Sequence, residues 1–254
     1  MKVIPVVGYS GSGKTRFIEE LIPALGSRGE VAVIKHLGDH RYHLEDGKDT
    51  TRFFERGATI TAGIDDQKTV LTVQERHLDR VLSMLSDAGI QFVIVEGFKS
   101  TSYPKIVIGD LTVEGCVLRN PTTAAVLDSL HRFEEYVTME GMVKDLKRGA
   151  DINRAGAVLT FNGVVREWTD GERTEYMEFD ERIENNIHTL THHMESIPGI
   201  LGVKFHHRKG RLHAGEPITF IAVLAEHRRE ALKAVSEALD ELKRDVHQAS
   251  GSGR

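Results

Sequence analysis

The sequence predicts an α/β domain with a mostly parallel sheet followed by an α+β domain, and three observations carry that expectation. The apolar run Val3-Ile4-Pro5-Val6-Val7 opens directly into the glycine-rich stretch Gly8 to Thr15 and then into a helical pattern. Short apolar runs then alternate with helical patterns, the order of strands joined by covering helices. After a polar break at Gly149 to Arg154, strand-like runs follow one another with two helical segments among them. A chain of 254 residues, 40% of them hydrophobic, is long enough for two cores.

Gly8-Tyr9-Ser10-Gly11-Ser12-Gly13-Lys14-Thr15 has the composition of a phosphate-binding loop. Gly8, Gly11 and Gly13 let the backbone curl so that N–H groups, Ser12 among them, converge on phosphates. Lys14 reaches the outer phosphates and the Thr15 hydroxyl ligates Mg²⁺. A chance glycine turn would need no Lys-Thr pair, so a nucleoside triphosphate is the first ligand to expect. Phe17, Ile18, Leu21, Ile22 and Leu25 then recur at helical spacing, with Gly26 as the stop.

Strand-like runs follow at Val31 to Ile34, Ala58 to Ile64, Val70 to Val73 and Phe92 to Val95, with a helix from about Glu75 to Ala88. Glu96 stands at the carboxyl end of the last run, where open α/β sheets collect their ligands. It can hold Mg²⁺ through water, orient an attacking water, or serve as a solvated strand-end acid. Lys35 and His36 occupy the equivalent end of the second strand and either line the same crevice or leave the sheet there. The polar segment Gly38 to Asp49 suits a lid or a docking surface, with a short helix after it at Thr50 to Arg56. His36, His40 and His43 lack the cysteines or i,i+4 spacing of a metal site and read as ordinary exposed histidines.

The second region begins at about residue 137, giving expected domains 1–137 and 138–254, with 152 as the other candidate boundary. A helix covers Met139 to Lys147, and a strand restarts from Ala155 to Phe161. Phe161 to Arg166, a turn around Asp170-Gly171 and a strand from Arg173 to Phe179 read together as a hairpin. A helix from Arg182 to Ser196, strands Gly202 to His206 and Ile218 to Leu224, and a helix from Arg228 complete a domain with helices on one face. Arg166, His207, Arg208, His227, Arg228 and Lys243 are the basic groups nearest strand ends and helix starts. They are either plain solvated residues or the grip on a small anionic substrate. The pairs His192-His193 and His206-His207 have no ligand-like spacing.

The net charge of −5, with signs interspersed, gives no driver for binding nucleic acid or an anionic membrane. There is no apolar run near the length of a membrane span, and the apolar start leads into the loop instead of a cleavage site, so the expectation is a soluble, cytoplasmic chain. The single Cys116, beside Val117 and Leu118, reads as a core filler.

The loop Gly8 to Thr15, Val33-Ile34-Lys35-His36, Asp46 to Thr50 with Arg52 and Gly57-Ala58, and Val95-Glu96-Gly97-Phe98-Lys99 before Pro104-Lys105 together resemble the molybdopterin-guanine dinucleotide biosynthesis adapter family through about residue 135. The resemblance implies a P-loop NTPase domain that binds GTP and Mg²⁺, hydrolyses weakly, dimerises, and assists a molybdopterin guanylyltransferase. No Asn-Lys-x-Asp segment is present to read guanine, so the residues alone leave ATP open. A small-molecule kinase or ligase-type ATPase is a further reading, without a legible acceptor site.

Ala155-Gly156-Ala157, Phe161-x-Gly163-x-Val165-Arg166, Glu175-Tyr176, His207-Arg208-x-Gly210-x-Leu212, Gly215-Glu216, His227-Arg228 and Leu242-Lys243 resemble the large, catalytic subunit of molybdopterin synthase across residues 139 to 246. That resemblance implies a hammerhead-like α+β fold and conversion of cyclic pyranopterin monophosphate to molybdopterin. Sulfur would come from the thiocarboxylate end of a small ubiquitin-like partner subunit. It also implies that Arg166, His227 and Arg228 bind the pterin and that Lys243 is the active-site lysine. The family pattern continues into a Pro-aromatic-Trp-Lys segment with a second lysine seven residues on, where this sequence has Ser250. A serine supplies neither a cation nor an amine, and His247 is the nearest substitute. The alternative reading is a non-catalytic adapter that carries pterin or docks the small subunit.

Overall fold

The computed structural model describes residues 1–250 except Asp39, Arg41, Asp170, Asp180 and Glu181, and describes no side chain for Thr169, Arg182 or 243–250. The chain divides into two units, Met1–Leu85 with Ile90–Tyr136, and Ser86–Gly89 with Val137–Arg254.

The first unit contains β1 (Lys2–Val7), α1 (Lys14–Gly26), β2 (Val31–Lys35), α2 (Asp49–Glu55), β3 (Ile60–Ile64), β4 (Thr69–Val73), α3 (Leu78–Ala88), β5 (Phe92–Glu96), β6 (Lys105–Val107), β7 (Cys116–Arg119) and α4 (Thr123–Asp128). A five-stranded sheet runs β2-β5-β1-β6-β7, with every pairing parallel. Ile4, Val6, Ile94 and Ile106 face Ile18, Leu21 and Leu25 of α1 and Val126 of α4. On the other face Val3, Val93 and Val95 pack on Leu82 of α3. Burial on both faces explains why these strands read as continuous apolar runs without alternation. Pro5 sits in this central strand because its missing N–H faces a gap. The Val6 carbonyl is taken on the β5 side by Gly97 N at 3.1 Å, so Pro5 faces β6, whose pairing with β1 begins only at Val6.

Two expectations change here. The runs at Ala58 to Ile64 and Val70 to Val73 do not join the parallel sheet; β3 and β4 form an antiparallel pair of their own. Cys116 is exposed on β7, at the sheet's edge, and fills no core. An edge strand needs only part of its surface apolar, and the half-buried Val117 and Leu118 supply it.

The second unit contains α5 (Met139–Gly149), β8 (Ala157–Val164), β9 (Trp168–Thr169), β10 (Glu172–Arg173), β11 (Tyr176–Phe179), α6 (Arg182–Glu195), β12 (Ile200–His207), β13 (Gly210–His213), β14 (Pro217–Ala225) and α7 (Arg228–Ser250). The antiparallel sheet β12-β14-β8 has β14 at its centre, buried along nearly its whole length. Ile221, Val223 and Ala225 pack on Ala231, Ala234, Val235 and Ala238 of α7 and on Met194 of α6. The alternate residues Phe220, Ala222 and Leu224 pack on Met142, Val143 and Leu146 of α5. Helices therefore cover both faces of this sheet, not one, because β14 presents apolar side chains on both.

The expected hairpin is also rearranged. β8 pairs with β14 and β11 with β13, leaving β9 and β10 as a two-residue ribbon around the turn. The turn residue Asp170 lies outside the described residues.

Candidate functional site

The loop between β1 and α1 lies at the carboxyl end of the central strand, where β1 connects to β2 on one side and borders β6 on the other. That is the crevice in which parallel sheets bind ligands. Gly11 and Gly13 adopt positive φ, at 74° and 90°. Gly8 is required by contact: a Cβ there would lie 2.4 Å from the Ile108 carbonyl oxygen. The Lys14 ammonium donates to the carbonyls of Tyr9 at 2.7 Å and Gly8 at 3.3 Å. Ser12 Oγ is buried with no hydrogen-bond partner, and the Thr15 side chain is exposed at the helix start. Among the described residues, an orphaned hydroxyl, an ammonium held only by loop carbonyls and a helix N-terminus without a side-chain cap fit a polyphosphate.

Glu96 and Lys35 are register partners on β5 and β2, and their charged ends lie 3.5 Å apart. The Glu96 side chain is 14% exposed, so this carboxylate is shielded and shared with a lysine. His36 donates its backbone N–H to the Glu96 carbonyl at 2.9 Å and places its ring 4.4 Å from Phe98. Lys35, His36 and Glu96 thus come to one end of the sheet together. Among the described residues no three His, Cys, Asp or Glu side chains gather as a metal-binding group.

In the second unit the basic residues divide into two sets. Arg166 follows the Val164 end of β8, which pairs with Pro217, whereas His227 and Arg228 follow the Ala225 end of β14, which pairs with Ala157. Seven residues of strand separate these ends, about 24 Å. The guanidinium of Arg166 and the side chains of His227 and Arg228 are exposed. α7 runs back along the sheet: Ala231 packs near Ala225, and Leu242 reaches the cluster that includes Phe179 and Phe205. Position 243 therefore lies toward the Arg166 end, although the Lys243 side chain lies outside the described residues, as do those of His247 and Ser250.

Arg208 does not serve as a free cation. Its guanidinium donates to Glu216 at 3.3 Å and to the Pro217 carbonyl at 2.9 Å, while Glu216 also accepts the His213 N–H at 2.6 Å. That backbone donor, with Arg208 assisting, holds the Glu216 carboxyl below its usual range. Val165 N donates to the Glu216 carbonyl at 2.9 Å, so the clasp also fixes the backbone beside Arg166. His207 is buried, with Nδ1 2.8 Å from the Arg208 carbonyl and its ring edge on Phe179. Burial lowers its pKa, and the histidine stays neutral. The motif spacing of His207, Arg208 and Glu216 exposed these residues in the sequence, but only the fold shows that Arg208 and Glu216 brace the backbone beside Arg166 while His207 is buried against Phe179.

Residues 3–128 match the family described as molybdopterin guanine dinucleotide synthesis protein B, MobB, and residues 134–245 match the MoaE protein family. The chain joins a MobB domain to a MoaE domain. This pairing assigns it to molybdenum cofactor biosynthesis. A probable molybdopterin synthase of Haloferax volcanii is 29% identical over 95% of this chain and 92% of its own length. A putative molybdopterin-guanine dinucleotide biosynthesis adapter protein of Methanocaldococcus jannaschii is 44% identical over 42% of this chain and 47% of its own. A molybdopterin synthase catalytic subunit of Staphylococcus carnosus is 38% identical over 36% of this chain and 63% of its own. Among the described residues no helix is long and apolar enough to cross a membrane.

Proposed function

We propose that the MoaE domain, spanning 138–254, is a molybdopterin synthase that accepts sulfur from a thiocarboxylated small subunit, and that the MobB domain, 1–137, binds GTP to assist guanylyl transfer to the cofactor. The observation that carries the synthase reading is the exposed Arg166, which has no carboxylate partner among the described residues, at the β8 end of the sheet, its backbone set in place by the Arg208–Glu216 clasp. A planar donor fork matches the phosphate of cyclic pyranopterin monophosphate. Lys243 supplies an amine on the same end of α7, able to hold or pass a proton as each thiocarboxylate sulfur attacks the pterin side chain. Each attack forms a carbon–sulfur bond as a phosphate or hydroxyl oxygen leaves the pterin side chain, and water then cleaves the acyl–sulfur bond, returning the small subunit as a carboxylate. Two such transfers install the dithiolene.

His227 and Arg228 complete this pocket only from a second copy, since about 24 Å of strand separates them from Arg166 within one chain. A homodimer is therefore part of the proposal. In the MobB domain the exposed face of the β3–β4 pair supports the same assembly. Ile60, Ile64 and Leu71 are 53%, 79% and 59% exposed, and the register places them on one face with Ala62.

In the MobB domain the loop N–H groups would cradle GTP, Lys14 would leave its carbonyls for the outer phosphates, and Thr15 with Glu96 would hold Mg²⁺. Mg²⁺ would neutralise phosphate charge there. Glu96 is paired with Lys35, so its carboxylate is drawn away from acting as a base, in keeping with slow hydrolysis.

The decisive experiment gives the purified chain cyclic pyranopterin monophosphate and a thiocarboxylated small subunit, beside Lys243→Ala. Molybdopterin formed by the parent and lost in the variant supports the synthase; none from either chain refutes it. Ser250 favours a second reading, a non-catalytic carrier of pterin or of the small subunit. Ser250→Lys separates the two, because a lysine restored to a synthase raises turnover and a carrier gains nothing.

A further inference from the structure

The turn after β5 holds two consecutive left-handed residues, Gly97 at φ 96° and Phe98 at φ 50°. Glycine adopts that conformation freely, and a Cβ at Gly97 would also press to 2.9 Å from His36 Cβ. For a residue as bulky as phenylalanine it is an unfavourable backbone state that lasts only where the surroundings enforce it. They do so here from three sides. The His36 ring lies 4.4 Å from the Phe98 ring. Thr101 donates both its N–H, at 3.2 Å, and its hydroxyl, at 3.1 Å, to the Phe98 carbonyl. The ammonium of Lys105, a residue 1% exposed, donates to the carbonyls of Thr101, Tyr103 and Glu114 and so ties down the far side of the same turn.

The product of this enforced turn is the position of Lys99. Its ammonium lies over the ring of Tyr9, 5.6 Å from the centroid, and Tyr9 is the second residue of the phosphate loop. Tyr9 is 54% exposed, so the contact is a weak, solvated one. Among the described residues the Lys99 ammonium has no carboxylate partner. An unpaired cation held at the mouth of a polyphosphate loop by a strained backbone is arranged for an anion, because a charge-assisted bond to phosphate is stronger than its contact with the ring.

We propose that Lys99 is a second phosphate-binding cation of the MobB domain, reaching the outermost phosphate from the β5 side while Lys14 reaches it from the loop. This inference rests on the nucleotide reading given above. It makes Lys99 the residue that distinguishes a triphosphate from a diphosphate.

Calorimetry on the full chain with Mg²⁺ and either GTP or GDP tests it, using the parent, Lys99→Gln, Lys99→Arg and Lys14→Ala. Lys99→Gln is expected to weaken GTP binding about tenfold and GDP binding less than about threefold, the loss of one charge-assisted contact. Lys99→Arg keeps the cation and stays within about threefold of the parent for both. Unchanged GTP affinity in Lys99→Gln, with binding lost in Lys14→Ala, overturns the Lys99 assignment and leaves the nucleotide site standing. Equal weakening of GTP and GDP overturns the outermost-phosphate assignment. A parent chain that binds neither nucleotide brings down the nucleotide reading itself, and this inference with it.

Discussion

A methyl group at position 8 would collide with the backbone just beyond β6. The Ile108 carbonyl is 2.4 Å from where that carbon would sit, and a main-chain oxygen cannot swing aside as a side chain can. Gly8→Ala is expected to destabilise the MobB domain by about 1–3 kcal/mol and to weaken GTP binding with it. Denaturant unfolding and calorimetry measure the two effects, and an alanine variant as stable as the parent contradicts the geometry. His207 gives a pH prediction. Burial keeps it neutral in the fold, so below its ordinary pKa of 6.5 the unfolded chain takes up a proton that the native chain refuses. Stability is thus lost as pH falls from about 7 toward 5, and His207→Gln is expected to flatten that part of the slope. Melting temperatures of both chains at several pH values decide it. The strand, loop and helix order around Gly8 to Thr15 was legible because it is written in consecutive letters. Lys99 and Lys105 were visible only as part of a motif, since their meaning lies in a left-handed turn and in carbonyls on other segments.

Among the elements, those with an apolar pattern of their own were legible and the shortest strands were not. β1, α1, β5, β14 and the start of α7 carry enough apolar periodicity to declare themselves. β6 has three residues and β13 four, too few for any period, and both are strands only because a neighbour offers a partner. The same limit explains the mispaired hairpin: proximity in sequence favoured β8 with the strand after the turn, but the buried centre of the domain is β14, and β8 gains more by pairing there. Leu21 of α1 is fully buried against the sheet, so Leu21→Ala is expected to cost about 2–5 kcal/mol in equilibrium unfolding. The β3–β4 pair has the opposite character, with Leu71 open to solvent. Leu71→Asp is expected to leave folding intact and to shift the chain from dimer toward monomer in sedimentation. A variant that stays fully dimeric removes this face from the assembly.

At the scale of the molecule, two separate cores imply two separate responses to ligand. In the proposed function GTP binds only one of them, and a ligand at a hundredfold excess over its Kd stabilises its own domain by about 2.7 kcal/mol. Thermal scans with Mg²⁺ and GTP are expected to move one transition upward and leave the other in place. The antiparallel register of β8 and β14 has a different outcome. Because it sends Arg166 and Arg228 to opposite poles of one protomer, the proposed shared pocket would let two damaged chains repair each other. Arg166→Ala and Arg228→Ala would each be inert alone. Mixed and allowed to exchange, they would form hybrids in which one pocket inherits both healthy arginines and the other inherits neither. Random re-pairing would bring back about a quarter of the parental turnover, a revival that a pocket made within a single chain could never show.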